Sequence, residues 1–292
     1  MTNACRCSFT RLVIVISALL FAACDGDKSP IAKPSLSPED EEIRNLVSQL
    51  ASNNPKPEYR EGAVFPRKPK QFDAAAQHRV HVAVARLHNY GFRAWPSLIE
   101  AAKLPMNWQR YSYTTSSAVW YNLNVAEACI DLMAEHVNIM PGYKSRTGAD
   151  GQAHCAPDYF REVVCDGAID AHEAVTKIDN WWHTNRGRTL RQVQLESINW
   201  AMNREHQIGE PVDKDEAVSF GEIKRVYEIT LKKREAAKDE EAPFRRLEAR
   251  ECTPDFLNPD SVVASFVVID SGETAEVPGK HHERAVGSVP DK

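Results

Sequence analysis

The stretch from Asp73 to Ala102, DAAAQHRVHVAVARLHNYGFRAWPSLIEAA, decides the fold class of this chain. Its first half has apolar residues at the three- and four-residue spacing of one helix face: Ala76, Val80, Ala83, Val84 and Leu87. Gly91 is placed to end this helix, and Pro96 suits the first turn of the next one. Because each helix has an apolar face to bury, two helices joined by so short a turn are expected to pack antiparallel.

Helix-start signals recur on both sides of this stretch. Ser37 followed by Pro38 is typical of a helix start. Three further starts have the spacing of a capping box, with a polar cap followed three residues later by Glu or Gln: Asn124 with Glu127, Thr189 with Gln192, and Ser219 with Glu222. No long alternating apolar pattern occurs before residue 260, and residues 104–123 show no helical period. The sequence therefore predicts an all-α domain over residues 37–250.

Residues 251–292 differ from the helical body. The stretch from Ser261 to Ile269 has the composition of one strand, but no partner strand is evident elsewhere in the chain. The remaining residues are polar and too poor in apolar side chains to build a core. We expect a flexible tail that is mostly disordered.

The turn Leu87-His-Asn-Tyr-Gly91-Phe-Arg-Ala94-Trp-Pro96-Ser-Leu98-Ile99 resembles the inter-helix turn of HEAT-type repeats. There a leucine-rich helix ends at Gly, an Ala and a Pro follow, and a Leu-Ile pair opens the second helix. Leu50, Leu87 and Leu132 are spaced by 37 and 45 residues, near the repeat length of about 40–47 in such arrays. The resemblance covers residues 37–137 and implies irregular HEAT-like hairpins, in a degenerate solenoid or in a bundle with one such hairpin. It also implies a surface that binds other proteins.

The N-terminus has the pattern of an export signal. Arg6 and Arg11 precede an apolar stretch from Leu12 to Ala23, which as a helix spans about 18 Å and is too short for a hydrocarbon core of about 30 Å. The junction Phe21-Ala22-Ala23-Cys24 resembles the lipobox of bacterial lipoproteins, where the cysteine sulfur receives lipid. The resemblance implies a signal peptide over residues 1–23, lipid on Cys24, and a location in the bacterial cell envelope, outside the cytoplasm. Residues 24–36 are a polar tether. Ordinary secretion after an Ala-x-Ala site is the alternative.

Charge excludes some partners. The chain has 36 basic and 41 acidic residues, a net charge of −5; removing residues 1–23 takes away two arginines and gives −7. A mildly acidic body has no electrostatic attraction for nucleic acid or for anionic lipid. We therefore expect no nucleic-acid partner, and a membrane contact that depends on the lipid at Cys24.

Histidines on the helix that precedes Gly91 are candidate metal ligands. His78 and His81 are close enough along one helix to share an ion, whereas His88 lies about 10 Å further on. A third ligand would have to come from another segment. The alternative is a polar helix face that is hydrogen-bonded to a neighbouring element.

Cys155 and Cys165 lie ten residues apart in a stretch with the composition of a loop. Since cysteines outside the cytoplasm can be oxidised, these two are a candidate disulfide. Zinc bound with His154 and Asp166 is the alternative, although no Cys-x-x-Cys spacing is present to preorganise such a site.

Aromatic residues are numerous in segments without helical period. Four tryptophans are candidate contacts for a sugar or a peptide: Trp108, Trp120, Trp181 and Trp182. Large aromatic side chains that cover the ends of a helical core are the alternative.

No phosphate-binding glycine loop, dinucleotide fingerprint or Gly-x-Ser-x-Gly elbow occurs, so the sequence predicts no cofactor and no catalytic residue. We expect a lipid-anchored envelope protein that acts as a binding or scaffold protein through its helical surface, with a protein or an envelope polymer as partner. The alternative is an extracytoplasmic hydrolase, either metal-dependent or using His and Asp, with histidines from residues 78–88 or 154–183.

Overall fold

The structure is a computed structural model, and it describes residues 36–58, 69–116, 120–138, 145–210, 220–249 and 266–269. Most of the regular structure in these residues is helical, as the sequence predicts. The α-helices are α1 (Pro38–Ser48), α2 (Ala74–Tyr90), α3 (Trp95–Lys103), α4 (Val125–Val137), α5 (Ala171–Asn185), α6 (Leu190–Ile208) and α7 (Phe220–Ala236). Short 3₁₀ turns span Gly91–Ala94 and Pro105–Trp108, and one π-helical turn spans Phe160–Val164. None of the described helices is both long and apolar enough to cross a bilayer.

Three antiparallel strand pairs add to the helices, and the all-α prediction did not include them. The strands are β1 (Tyr111–Ser116) with β2 (Trp120–Asn124), β3 (Ser145–Thr147) with β4 (Ala153–Cys155), and β5 (Arg246–Ala249) with β6 (Phe266–Ile269). β6 lies in the segment from Ser261 to Ile269 that was expected to form a single strand, and β5 is its partner. Residues 251–265 and 270–292 of the predicted tail lie outside the described residues.

Polar caps set the helix starts where the sequence places them. The Ser37 hydroxyl accepts a hydrogen bond from the Asp40 backbone N–H at 3.1 Å before α1. Both Asn124 with Glu127 and Thr189 with Gln192 form complete capping boxes, at the starts of α4 and α6. Ser219 lies outside the described residues.

The first six helices and β1–β2 share one apolar core, centred on Trp95. Its indole Nε1–H donates to Nδ1 of His136 at 3.0 Å. Since indole can only donate, Nδ1 of His136 is the acceptor, so the ring proton is on Nε2, which donates to the His88 carbonyl at 2.9 Å. Burial and the neighbouring His88 lower the pKa of His136 to about 3. This histidine is therefore neutral and acts as a polar part of the core.

The expected antiparallel packing of α2 on α3 is not what the structure has. α3 packs chiefly on α4, whereas α2 packs on α1 and β5. Gly91 has φ +58°, and a Cβ there would lie 2.6 Å from the Glu241 carbonyl oxygen and 2.8 Å from Leu190 Cδ2. The chain leaves Gly91 in a 3₁₀ turn that runs straight into α3, so the two helices diverge instead of folding back on each other.

Candidate functional site

The hairpin β3–β4 is fixed to the C-terminal end of α6 by a buried ion pair. Arg146 donates to one carboxylate oxygen of Glu205 from Nη2 at 2.8 Å and from Nε at 3.0 Å, and the two side chains are only 1 % and 4 % exposed. Arg146 Nη1 also donates to the Gly209 carbonyl at 2.7 Å. A backbone bond from Ala149 N–H to the Ile208 carbonyl closes the contact at 2.9 Å. The position of the hairpin relative to the C-terminal end of α6 is therefore fixed.

An open cleft of about 330 Å³ lies between this hairpin, the π-helical turn and α6. Its polar lining comes from three separate parts of the chain: His154 and Cys155 of β4, Glu162 of the turn, and Arg204 and Gln207 of α6. The volume is at the lower end of the range of about 300–1,000 Å³ for small-molecule sites. Among the described residues, this is where hydrogen-bonding side chains from several elements meet at an open cavity.

Arg204 is held in position within the cleft. Its Nη2 donates to Glu162 Oε2 at 2.8 Å, its Nη1 donates to Gln207 Oε1 at 3.0 Å, and its Cζ lies 5.8 Å from the centre of the Trp200 ring. Both members of the Arg204–Glu162 pair remain exposed to solvent. A ligand therefore meets guanidinium and amide donors next to carboxylate acceptors.

His154 is oriented by Asp150. Its Nε2 lies 2.9 Å and 3.1 Å from the two carboxylate oxygens, which can only accept, so Nε2 carries a proton and donates. This hydrogen bond lowers the pKa of Asp150. The imidazole edge lies against the backbone at Gly148, where a Cβ would be 2.8 Å from His154 Cδ2. In the neutral ring Nδ1 is then the basic nitrogen.

The predicted disulfide pair does not form in the structure, where Cys155 and Cys165 are both free thiols. Cys155 is exposed at the cleft, whereas Cys165 is buried in the core after the π-helical turn. Burial, with a smaller effect from Asp158, raises the pKa of Cys165 to about 12, so this thiol is protonated. Cys24, the predicted lipidation site, lies outside the described residues.

His78 and His81 do not meet a third ligand in the described part of the chain, where no group of three His, Cys, Asp or Glu side chains could hold a metal ion. His81 is buried, and burial together with the charge of His78 lowers its pKa to about 4. Its neighbours are Gln77, whose Nε2 lies 3.5 Å from His81 Nε2, and Tyr113. His81 therefore belongs to a buried polar junction between α2 and β1, not to an open site.

The candidate tryptophans lie in two different places. Trp181 and Trp182 pack on Trp95 with ring centres 5.5 and 5.4 Å away, and both are partly buried against the apolar core. Trp108 stacks on His172 with ring centres 3.8 Å apart and is partly exposed. The side chain of Trp120 lies outside the described part of the chain.

Sequence reasoning missed most of the cleft. Asp150, Glu162 and Arg204 are far apart in sequence or follow no motif, and they come near one another only because the hairpin and the π-helical turn both lie beside α6. The adjacent His154-Cys155 pair was the one sequence feature that indicated this site. It identified the hairpin correctly but gave no indication of Glu162, Arg204 or Gln207. Comparison with protein-family profiles, with curated proteins and with solved structures gives no match for this chain.

Proposed function

We propose that this chain is a lipid-anchored protein of the bacterial cell envelope that works by binding. Lipid on Cys24 holds it to the membrane, and the cleft beside α6 takes a polar segment of an envelope polymer or of a partner protein. The N-terminal signal and the cysteine that follows it support the anchor.

The single observation that carries the binding function is the preformed polar cleft. Arg204, Glu162 and Gln207 hold one another in position, so little side-chain freedom is lost when a ligand binds. Both donors and acceptors line the opening, which suits a ligand with many hydroxyl or amide groups. Such groups are abundant in glycans and peptides.

The HEAT-like character of the helices is part of this proposal. Its support is the spacing of Leu50, Leu87 and Leu132, since the turn at Gly91 does not fold α3 back onto α2. It predicts a partner surface on the exposed faces of α1 to α4. Substitutions on these faces would reduce partner binding if the helical surface takes part, and would leave it unchanged if the cleft acts alone.

The binding function is tested by a matched pair of arginine variants. Arg204→Met removes the guanidinium from the cleft, whereas Arg188→Met removes one from a partly exposed ion pair with Glu196 near the N-terminal end of α6, away from the cleft and from α1 to α4. We expect capture of soluble cell-wall fragments or of one envelope protein by the purified mature chain to weaken by roughly tenfold in Arg204→Met, in line with a lost charged hydrogen bond. Equal capture by both variants would contradict the cleft as the binding site.

The anchor is tested separately by mass spectrometry of the N-terminal peptide from membrane-purified protein. We expect the peptide that begins at Cys24 to be heavier than its unmodified mass by the mass of the attached lipid. The corresponding peptide of a Cys24→Ala chain should show no such increase. An unmodified Cys24 in exported protein would contradict lipid anchoring at this residue. It would not affect the test of ligand binding by the cleft.

A hydrolase is the second candidate function, because the His154–Asp150 pair lies beside the exposed Cys155 thiol at the same cleft. If the cleft is catalytic, His154→Gln would abolish release of product from a captured fragment and leave its capture intact. If capture occurs and no product is released by the unaltered protein, the binding function stands alone.

A further inference from the structure

Three large apolar side chains project into solvent at one end of α5. Leu104 and Met106 are 49 % and 57 % exposed, and Ile169 is 92 % exposed. Trp108, which follows Leu104 and Met106 in the chain, stacks on His172, which follows Ile169, and we call these five residues the apolar patch. Exposed apolar side chains are common singly, but a group of them around an aromatic stack marks a contact surface.

Side-chain contacts between α3, the turn after it and α5 bring the two segments of the patch together. Lys103 Nζ lies 3.0 Å from Asp179 Oδ2, so the end of α3 meets the middle of α5. Five residues later Trp108 stacks on His172, the second residue of α5. The turn carrying Leu104 and Met106 therefore runs along the first half of α5 toward Ile169.

The patch is held rigidly. Asn107 Nδ2 donates to the Ala101 carbonyl at 2.8 Å, and Trp108 Nε1 donates to the Ala102 carbonyl at 3.0 Å, so the turn is bound back onto α3. On the other side, the Ile169 backbone N–H donates to Glu173 Oε2 at 3.1 Å. The apolar side chains are thus presented outward and cannot fold back into the core by a local movement.

We propose that the apolar patch seats on the surface of the bilayer to which the protein is tethered, an inference that rests on the lipid anchor at Cys24. The thirteen peptide units from Cys24 to Ser37 can extend at most about 45 Å, so the folded domain stays next to that membrane. A tethered domain meets the bilayer at a high effective concentration, and weak apolar insertion is then sufficient to hold it there. Leu, Met and Ile enter the interface between headgroups, and Trp108 is an aromatic side chain of the type enriched at that depth.

The charges around the patch specify which lipid it contacts. Glu173 accepts a hydrogen bond from the Ile169 backbone, Asp170 follows Ile169 and caps α5, and Asp166, three residues earlier, pairs with Lys177 at 2.8 Å. This rim has no excess of free cations that would attract anionic headgroups. The contact is therefore apolar, is made with zwitterionic lipid, and is little affected by salt.

Vesicle sedimentation tests the patch without the anchor. The mature chain, residues 24–292 with Cys24→Ser, is mixed with phosphatidylcholine vesicles, with and without phosphatidylglycerol, at low and high salt. We expect binding to phosphatidylcholine that anionic lipid does not strengthen and salt does not weaken. The combined change Leu104→Ser, Met106→Ser and Ile169→Ser should weaken it by roughly tenfold or more, since it removes most of the exposed apolar surface of the patch. Val226→Ser, an exposed apolar position on α7, is the matched control and should bind as the parent does.

Four outcomes would overturn the inference. The first is no binding of the parent chain to phosphatidylcholine at millimolar lipid, the order of effective concentration that a short tether provides. The others are equal vesicle binding by the triple-serine chain, binding that requires phosphatidylglycerol and disappears at high salt, or self-association of the parent chain that the triple change abolishes. The proposed function is tested by separate measurements. Arg204→Met should lose ligand capture but keep vesicle binding, and mass spectrometry of the N-terminal peptide detects the lipid on Cys24.

Discussion

Arg146 and Glu205 show at the residue scale how burial decides what an ion pair contributes. Their pair and that of Arg93 with Glu39 have the same 2.8 Å separation, but the first is buried and the second lies in solvent. Arg146→Met leaves the Glu205 carboxylate buried without this guanidinium, so we expect the free energy of unfolding to fall by about 3–5 kcal/mol. Arg93→Met should change it by about 1 kcal/mol or less. Urea denaturation of both variants measures the difference, and equal values would show that the hairpin is not held by this pair.

Single residues are also where the sequence was most informative. The two residues of a cap such as Asn124 with Glu127 are only three positions apart, so the interaction can be recognised from a short stretch of sequence. Arg146 and Glu205 are 59 residues apart, and nothing local distinguishes either one from a surface charge. The cleft depends on this second kind of contact, which explains why only His154 and Cys155 of its lining drew attention in the sequence.

The C-terminal strand pair shows at the element scale how an edge strand is held by side chains. Asn89 of α2 donates from Nδ2 to the Leu247 carbonyl at 2.8 Å and accepts from the Leu247 N–H at 2.9 Å through Oδ1. Its amide thus replaces a neighbouring strand along that edge of β5, while β6 pairs with the other edge. His88 adds a hydrogen bond from Nε2 to the Arg245 carbonyl at 2.9 Å.

Asn89→Leu keeps the size of the side chain and removes both hydrogen bonds to β5. We expect the Leu247 amide to exchange with solvent roughly 5- to 30-fold faster, because one or two hydrogen bonds of about 1 kcal/mol each no longer hold that edge. Hydrogen exchange followed by NMR or mass spectrometry measures this rate. Asn199→Leu, which removes an amide bonded only within α6, is the control. Unchanged exchange at Leu247 would mean that β6 alone holds β5.

The strands escaped prediction for a physical reason that β1 illustrates. Tyr111, Ser112, Tyr113 and Thr114 are all buried, since α2, α4 and the loop around Asn54 cover both faces of the hairpin. A strand buried on both faces loses the alternation of apolar and polar residues that marks a half-exposed one. Its polar side chains instead bond internally, as in the contact between Tyr111 OH and Thr114 Oγ1 at 3.0 Å.

At the scale of the whole molecule, apolar spacing predicted which segments are helices but not how they pack. The stripe on α2 is buried as expected, yet the same helix also buries His81 and His88 on another side. A helix covered on several sides by α1, β1 and β5 needs more buried surface than one stripe supplies. The expected simple hairpin of α2 and α3 was therefore wrong, although the mostly helical fold was predicted.

These buried histidines make the stability of the whole domain depend on pH. The folded-state pKa is about 4 for His81 and about 3 for His136, both below the ordinary value of 6.5, because burial disfavours the charged ring. Below pH 6.5 the unfolded chain binds protons that the folded chain does not, so the free energy of unfolding falls as pH falls. Between pH 7 and pH 5 each histidine should account for about 2 kcal/mol of this loss.

Urea denaturation at pH 7 and at pH 5 checks this value through differences between variants. His136→Gln keeps an acceptor for the Trp95 indole and cannot be protonated, so its stability should fall by about 2 kcal/mol less than that of the parent over this range. The difference also cancels contributions that both chains share, such as that of Asp131, whose pKa is raised by burial and acts in the opposite direction. If His136→Gln and the parent lost equal stability, His136 would have to titrate in the folded chain, which its two hydrogen bonds in the core do not allow.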